Sequence, residues 1–323
     1  MPTESATTYK DCLPRLKRIS WLDFFNIICG FCSAVSLGLA FFYPEQHNNI
    51  FSYYLVTISL LIIGYHVYQV RTKDDRLKSG IIYAHYVSHL IRDYLADLDT
   101  DKSKSAATVT KELNELIANI LESVSECFSV VTGRKCRVTM KGMCTNDTPN
   151  SNDYIIWDIR RDKMSKGNYD KKLKGNNLNP KTIKHYLADN TDFRSLLDSE
   201  HQCARYFLCN DLESRWLMGD YDNSSFDIYG KPKTINLSGR RSQLIWWPLP
   251  YKSTIVLPVR YVPNDMRLSA QGSNLPTYLG FLCIDSKSKN IFDTVYHPEL
   301  GGMFADSLYI IIKKVHDLNV SSN

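Results

Sequence analysis

Two pairs of ligating residues stand at spacings that could do chemistry. Cys29 and Cys32 have the Cys-x-x-Cys spacing of a redox dithiol or half a zinc site. His85 and His89 are one helical turn apart and could share a metal ion. Neither pair is completed. The cysteines sit among Ile28, Phe31 and Val35, and no Cys or carboxylate cluster accompanies the histidines. The first pair therefore reads as small apolar filler and the second as solvated or seam-lining. Signatures of phosphate-binding loops, zinc proteases, serine hydrolases and dinucleotide folds are missing, so no enzyme is expected and no cofactor is named.

A third cluster is basic. Arg160, Arg161, Lys163, Lys166, Lys171, Lys172, Lys174, Lys181 and Lys184 fall in one polar stretch. Aromatic residues in it are confined to Tyr169 and Tyr186, and acidic residues intervene. That favours a solvated, mobile loop over a nucleic-acid surface, with anionic lipid the better alternative. No nucleic acid partner is expected.

The elements behind these residues follow from the hydropathy pattern. The 323 residues carry 39 Lys+Arg against 34 Asp+Glu, a net charge of +5, with 44% hydrophobic residues. This suffices for about two domains at roughly 100 to 200 residues each and excludes collagen-like or wholly disordered chains. Phe24 to Tyr43 and Phe51 to Val70 contain no charge, and each is close to the ~20 residues that cross a bilayer as a helix. Lys10, Arg15, Lys17 and Arg18 precede the pair and Arg71, Lys73, Arg76 and Lys78 follow it, which predicts a transmembrane helical hairpin with both termini cytoplasmic. The small residues Gly30, Ala34 and Gly38 share one face for packing within the hairpin. His66 is expected to snorkel or pack.

Leu77, Ile81, Ala84, Ser88, Ile91, Leu95 and Leu98 alternate by four and three, a seam suited to rigid coupling or to a homodimer. A second amphipathic helix is expected from Ser105 to Thr132, stopped by Gly133. Strands are expected over Arg137 to Met140, Tyr154 to Arg160, Ala204 to Cys209, Ser253 to Arg260 and Tyr278 to Asp285. Helices are expected over Pro180 to Asp198 and Pro298 to Leu318. The expected division is 1–20 cytoplasmic segment, 21–71 hairpin, 72–104 connecting helix and break, and 105–323 cytoplasmic domain. The fold class is α+β, an antiparallel sheet with terminal helices on one face.

Tyr251-Lys-Ser-Thr-Ile-Val-Leu-Pro-Val-Arg260, a variable loop, Tyr278-Leu-Gly-Phe-Leu-Cys-Ile-Asp285 and an amphipathic last helix together resemble the second half of a GAF-like domain. The order of elements from Ser105 to Val320 agrees. The Asn-Lys and Phe-Asp-Glu pattern of cyclic-nucleotide-binding members and a bilin-attachment cysteine are missing, so neither ligand is implied. The resemblance implies a ligand pocket on the sheet face opposite the terminal helices, lined by the segment from Cys209 to Tyr251. Asn210, Asp211, Trp216, Tyr221, Asn223, Trp247 and Tyr251 are its candidate ligand-binding residues, with Asn210 and Asp211 alternatively capping a short helix. Some GAF-fold proteins are thiol-based methionine sulfoxide reductases, which brings Cys203, Cys209 and Cys283 forward as a weaker alternative. The implied function is a membrane-anchored sensor of an unidentified small molecule, in a bacterial inner (plasma) membrane, signalling through its helices or a partner protein. A scaffold or dimerisation module without ligand is the alternative.

Overall fold

The computed structural model describes residues 50–100, 104–145, 154–176, 185–197, 205–235, 243–261 and 277–321. Its longest helix, α1 (Ile50–Thr100), contains the second uncharged run as its first turns and continues without a break into the polar half. Among the described residues no helix is long and apolar enough to cross a membrane. The first uncharged run, with Cys29, Cys32, Gly30, Ala34 and Gly38, lies outside them. The expected two-span hairpin is therefore not supported among the described residues.

α2 (Ala106–Thr132) begins where Ser105 caps it, its side chain accepting from the Thr108 N–H. It ends at Gly133, whose φ of 66° is the left-handed conformation that suits glycine. Ser125 and Ser129 then tie the helix to the first strand, Oγ of Ser125 donating to the Cys136 carbonyl and Oγ of Ser129 accepting from the Cys136 N–H.

The strands are β1 (Cys136–Thr145), β2 (Tyr154–Arg161), β3 (His185–Tyr186), β4 (Phe207–Cys209), β7 (Ser253–Tyr261) and β8 (Thr277–Ser286), ordered β3-β2-β1-β8-β7-β4 and antiparallel throughout. A separate hairpin pairs β5 (Lys233–Ile235) with β6 (Gln243–Trp246). Shorter helices are α3 (Lys163–Gly175), α4 (Thr191–Leu197), α5 (Leu212–Leu217) and α6 (Phe226–Tyr229), and α7 (Tyr296–Ser321) closes the chain.

Successive strand residues point to opposite faces. On one face Val138, Met140, Ile255, Leu257, Leu282 and Ile284 meet α1, α2 and α7 through Val87, Leu113, Ile120, Phe128, Phe304 and Leu308. On the other, Ile156, Phe207, Val256, Phe281 and Cys283 meet Phe193, Leu196, Leu212, Tyr221, Phe226 and Leu249. Terminal helices on one face and an irregular layer on the other are consistent with a GAF-like fold.

Several expectations are corrected. The polar stretch after Arg160 is no mobile loop as far as Gly175: Arg161 ends β2 and Lys163–Gly175 is helical, started by Asp162, whose side chain accepts from the Met164 and Ser165 N–H groups. The helix expected from Pro180 to Asp198 is confined, among the described residues, to Thr191–Leu197, because His185–Tyr186 pairs with β2 as an edge strand. The packed face of α1 is Gly80, Tyr83, Ala84, Val87 and Ile91, so Ala84 and Ile91 of the expected seam lie in it and Leu95 packs beside it, while Ile81 is 60% exposed. Gly80 lies at the close crossing, where a Cβ would stand 3.3 Å from Val131 and 3.4 Å from Leu300. A strict four-and-three spacing misses a crossing centred on a glycine.

Candidate functional site

The face of the sheet opposite α1, α2 and α7 is not uniformly apolar. A register shift after Met140 places Lys141 opposite Asp158, and Thr139 stands opposite Arg161. The Arg161 guanidinium donates to Asp158 Oδ2 through Nε at 3.0 Å and Nη2 at 2.6 Å. It also reaches Thr139 Oγ1 and Ser165 Oγ, and it stacks 3.9 Å from the centre of the Tyr169 ring on α3.

The Lys141 ammonium is 3.2 Å from Asp158 Oδ1, an ion pair whose direction does not make a hydrogen bond, so this buried oxygen receives none. Burial pushes the Asp158 carboxyl up, but Lys141 and Arg161 together outweigh it and hold it well below the usual carboxylate range. His185, at the sheet edge, shares a proton with Ser224 Oγ at 2.6 Å. Burial, helped by Lys141, pulls its imidazole down to about 3, so it is neutral at physiological pH.

Across the same face the covering layer formed by α4 and the turn at residues 220–226, the lid, supplies a second cluster. The Asn223 amide donates to Tyr221 OH at 2.8 Å, to Tyr251 OH at 3.4 Å and to Asp192 Oδ2 at 3.5 Å. Asp192 also accepts from the Phe193 N–H. Thr191 fastens α4 to the turn before Asn223, its N–H donating to the Asp222 carbonyl and its Oγ1 accepting from the Asp222 N–H. Beneath this cluster Thr254 donates to Asp285 Oδ1 at 2.6 Å, across a directly opposed strand pair. Burial raises the Asp192 carboxyl to about 7 against the pull of Lys141, and raises Asp285 to about 6 against Thr254, Arg161 and Lys141. Burial also lifts Tyr221 and Tyr251 well above the usual phenol range.

Of the residues singled out from the sequence, Tyr221, Asn223 and Tyr251 converge here. Trp247 stands behind them, its Nε1 donating to the Tyr251 carbonyl at 2.7 Å and its ring edge-on to Phe226. Trp216 is partly buried against the same core. Asn210 and Asp211 stand apart from this cluster, and Asp211 takes the capping role that was the alternative for it. Asn210 clips β4 to the chain before α7, donating to the Phe292 carbonyl and accepting from its N–H. Asp211 caps α5 by accepting from the Ser214 N–H and pairs with Lys289.

Lys141, Asp158, Arg161, His185, Asp192, Thr254 and Asp285 were not foreseen. The signal available was polar residues at alternate positions of strands otherwise built for burial, as in Val138-Thr139-Met140-Lys141 and Phe281-Leu282-Cys283-Ile284-Asp285.

The remaining chemistry-bearing residues separate from this cluster. Burial pushes the Cys283 thiol well above its usual range, the wrong direction for a nucleophile, and raises Cys209 as well; Cys203 lies outside the described residues. His85 and His89 occupy the outer face of α1 with Nε2 atoms 2.9 Å apart and Arg92 against the second ring. Among the described residues no group of three or more metal-ligating side chains gathers.

No family model matches the chain, and no curated protein is similar to it. Among solved structures, one from Burkholderia vietnamiensis, provisionally described as a GAF sensor protein, aligns over 64% of this chain and 90% of its own length. It is 13% identical and superposes with a TM-score of 0.24, a level from which neither ligand nor mechanism transfers.

Proposed function

We propose that this chain is a sensor whose GAF-like domain takes a small polar molecule between the charged face of its sheet and the overlying lid. The observation that carries this reading is the buried Asp158 Oδ1, which accepts no hydrogen bond although it lies among cationic and hydroxyl groups. A polar face of this kind costs stability where an apolar one would add it, so its groups are better suited to a guest than to packing.

The first turns of α1 leave Ile58, Leu60, Ile62, Val67 and Val70 at least half exposed, and the apolar N-terminal region is proposed to hold the domain at a membrane, on the cytoplasmic side. Occupancy would be passed through the sheet to α1, α2 and α7, which pack on its other face.

Native mass spectrometry and thermal shift on the purified full chain test the reading, with Asp158→Asn and Tyr251→Phe as variants and Asp211→Ala as control. A retained or stabilising small molecule lost in the first two and kept in the third supports it. No bound molecule in any of the four would sink it. The second reading, a ligand-free dimerisation module, rests on Ile81, Met303 and Ile310, all at least half exposed on the helix layer. Sedimentation showing a concentration-dependent dimer with no ligand would favour it. Membrane attachment is checked separately, by whether the full chain sediments with membranes and resists extraction at high salt.

A further inference from the structure

Asp192 is a buried carboxyl at the start of α4 with no ion-pair partner among the described residues. Its hydrogen-bond donors are the adjacent Phe193 N–H and, at 3.5 Å, the Asn223 amide. The groups that face it come from every element around it: Lys141 from β1, Cys283 and Asp285 from β8, Tyr221 and Asn223 from the turn, and Tyr251 from the loop before β7. Of these Lys141 and the long hydrogen bond from Asn223 favour the ionised form, as does the Phe193 N–H, and Lys141 is already paired with Asp158. Asn223 is also the residue that joins the turn to both tyrosines. The carboxyl thus sits where α4, the turn and the sheet are fastened together.

We propose that the domain senses protons directly: the lid made of α4 and residues 220–226 is latched onto the sheet while the Asp192 carboxyl is neutral, and is released when that carboxyl gives its proton to water. Ionisation places a second negative charge beside Asp285 in a desolvated layer whose cations are shared with Asp158. Opening the lid returns that charge to solvent. With Lys141 and Arg161 positive and Asp158 negative, ionising Asp192 and Asp285 takes the layer from a net +1 to −1. Burial holds Asp192 near 7 and Asp285 near 6, which puts the change in the physiological range. The latch needs no small molecule, so it stands or falls apart from the ligand reading.

Amide hydrogen exchange of the ligand-free full chain, measured from pH 5 to 8 and corrected for intrinsic exchange, tests it. In the wild type, lid opening over 191–197 and 220–226 should rise by up to about tenfold per pH unit until Asp192 is ionised, while β7 and β8 stay far better protected than the lid at every pH. Asp192→Asn should flatten the rise, and Lys141→Met should move it to higher pH. A lid whose corrected exchange does not change with pH overturns the proposal, as does an equal rise in Asp192→Asn. Should that variant not fold, the wild-type contrast between lid and core strands, with the direction of the Lys141→Met shift, decides the matter.

Discussion

The two faces of one sheet are built on different principles. Toward α1, α2 and α7 the strands present Val138, Met140, Ile255, Leu257, Leu282 and Ile284, and the layer against them is apolar. Toward the lid the same strands present Thr139, Lys141, Asp158, Thr254 and Asp285 among the buried apolar residues Ile156, Val256 and Phe281, so a network of hydroxyls, amides and carboxyls runs through this second, smaller core. Burial of apolar area stabilises at about 25 cal/mol per Å2, whereas a buried charge must recover its desolvation from its partners. The helix face therefore carries the stability of the domain, and the lid face carries what the domain can respond to.

The largest expected effect breaks the charged face from within. Asp158→Ala leaves Lys141 and Arg161 buried without their anion and should cost about 3–5 kcal/mol in urea unfolding. Replacing all three together by Met, Leu and Met should return stability to the wild-type value or above it. A triple variant as unstable as the single one would mean that the ion pairs, and not the helix face, hold this side of the fold.

The second effect uses pH, because the carboxyls of the lid face are shifted in opposite directions. Asp158 is held below its ordinary range, so its contribution is present above about pH 4 and lost as pH falls below that. Asp192 and Asp285 are raised to about 7 and about 6, so the folded state is favoured most below about pH 4 and loses stability as pH rises toward those values. The wild type should be most stable on the acid side of neutrality and lose several kcal/mol by pH 8. Asp192→Asn with Asp285→Asn should remove the alkaline decline and leave the acid one, as followed by thermal unfolding across pH.

A third test strikes the geometry that presents Lys141. Gly280 has a φ of 155°, and a Cβ there would stand 1.9 Å from the Lys141 carbonyl oxygen. Gly280→Ala should cost more than about 1 kcal/mol, because the obstacle is backbone and the strand must move. If the two faces are separable, the same variant should also weaken the Lys141 to Asp158 pairing, read as a smaller penalty when Asp158→Ala is added to it.

How much of this was legible in the sequence depended on which face a residue served. The central strands Ser253–Tyr261 and Thr277–Ser286, α2 with its Ser105 and Gly133 ends, and the closing helix came through within a few residues, since long apolar runs and caps are local signals. The lid face did not. Arg161 read as part of a solvated basic loop because its partner, Asp158, lies three residues away on a strand whose bulge turns both inward, and linear charge does not show that. α3 was hidden by its Asn and Gly residues and its few apolar positions, which leave little helical periodicity to read beside the Asp162 cap. Tyr221, Asn223 and Tyr251 were found because aromatic and amide residues crowd an otherwise irregular segment. The carboxyls they meet sit on α4 and β8, far away in the chain.

The smallest effect tests this division at Asp211, which the family resemblance makes a candidate ligand-binding residue and the structure shows as the cap of α5. Asp211 accepts from the Ser214 N–H at 3.1 Å, receives the Ser214 hydroxyl at 2.8 Å and pairs with Lys289 at 2.9 Å, while Glu213 holds the same lysine. Lys289 and Ser214 lower its carboxyl despite partial burial, the mark of a satisfied cap. Asp211→Ala should therefore cost about 1 kcal/mol of stability, the value of an N-cap, since Glu213 remains to hold Lys289. Lid exchange at 191–197 and 220–226 should keep its wild-type dependence on pH in that variant. A variant that instead freed the lid would show that the capped end of α5 is part of the latch, and that the boundary between the structural and responsive parts of this face runs through α5 and not beside it.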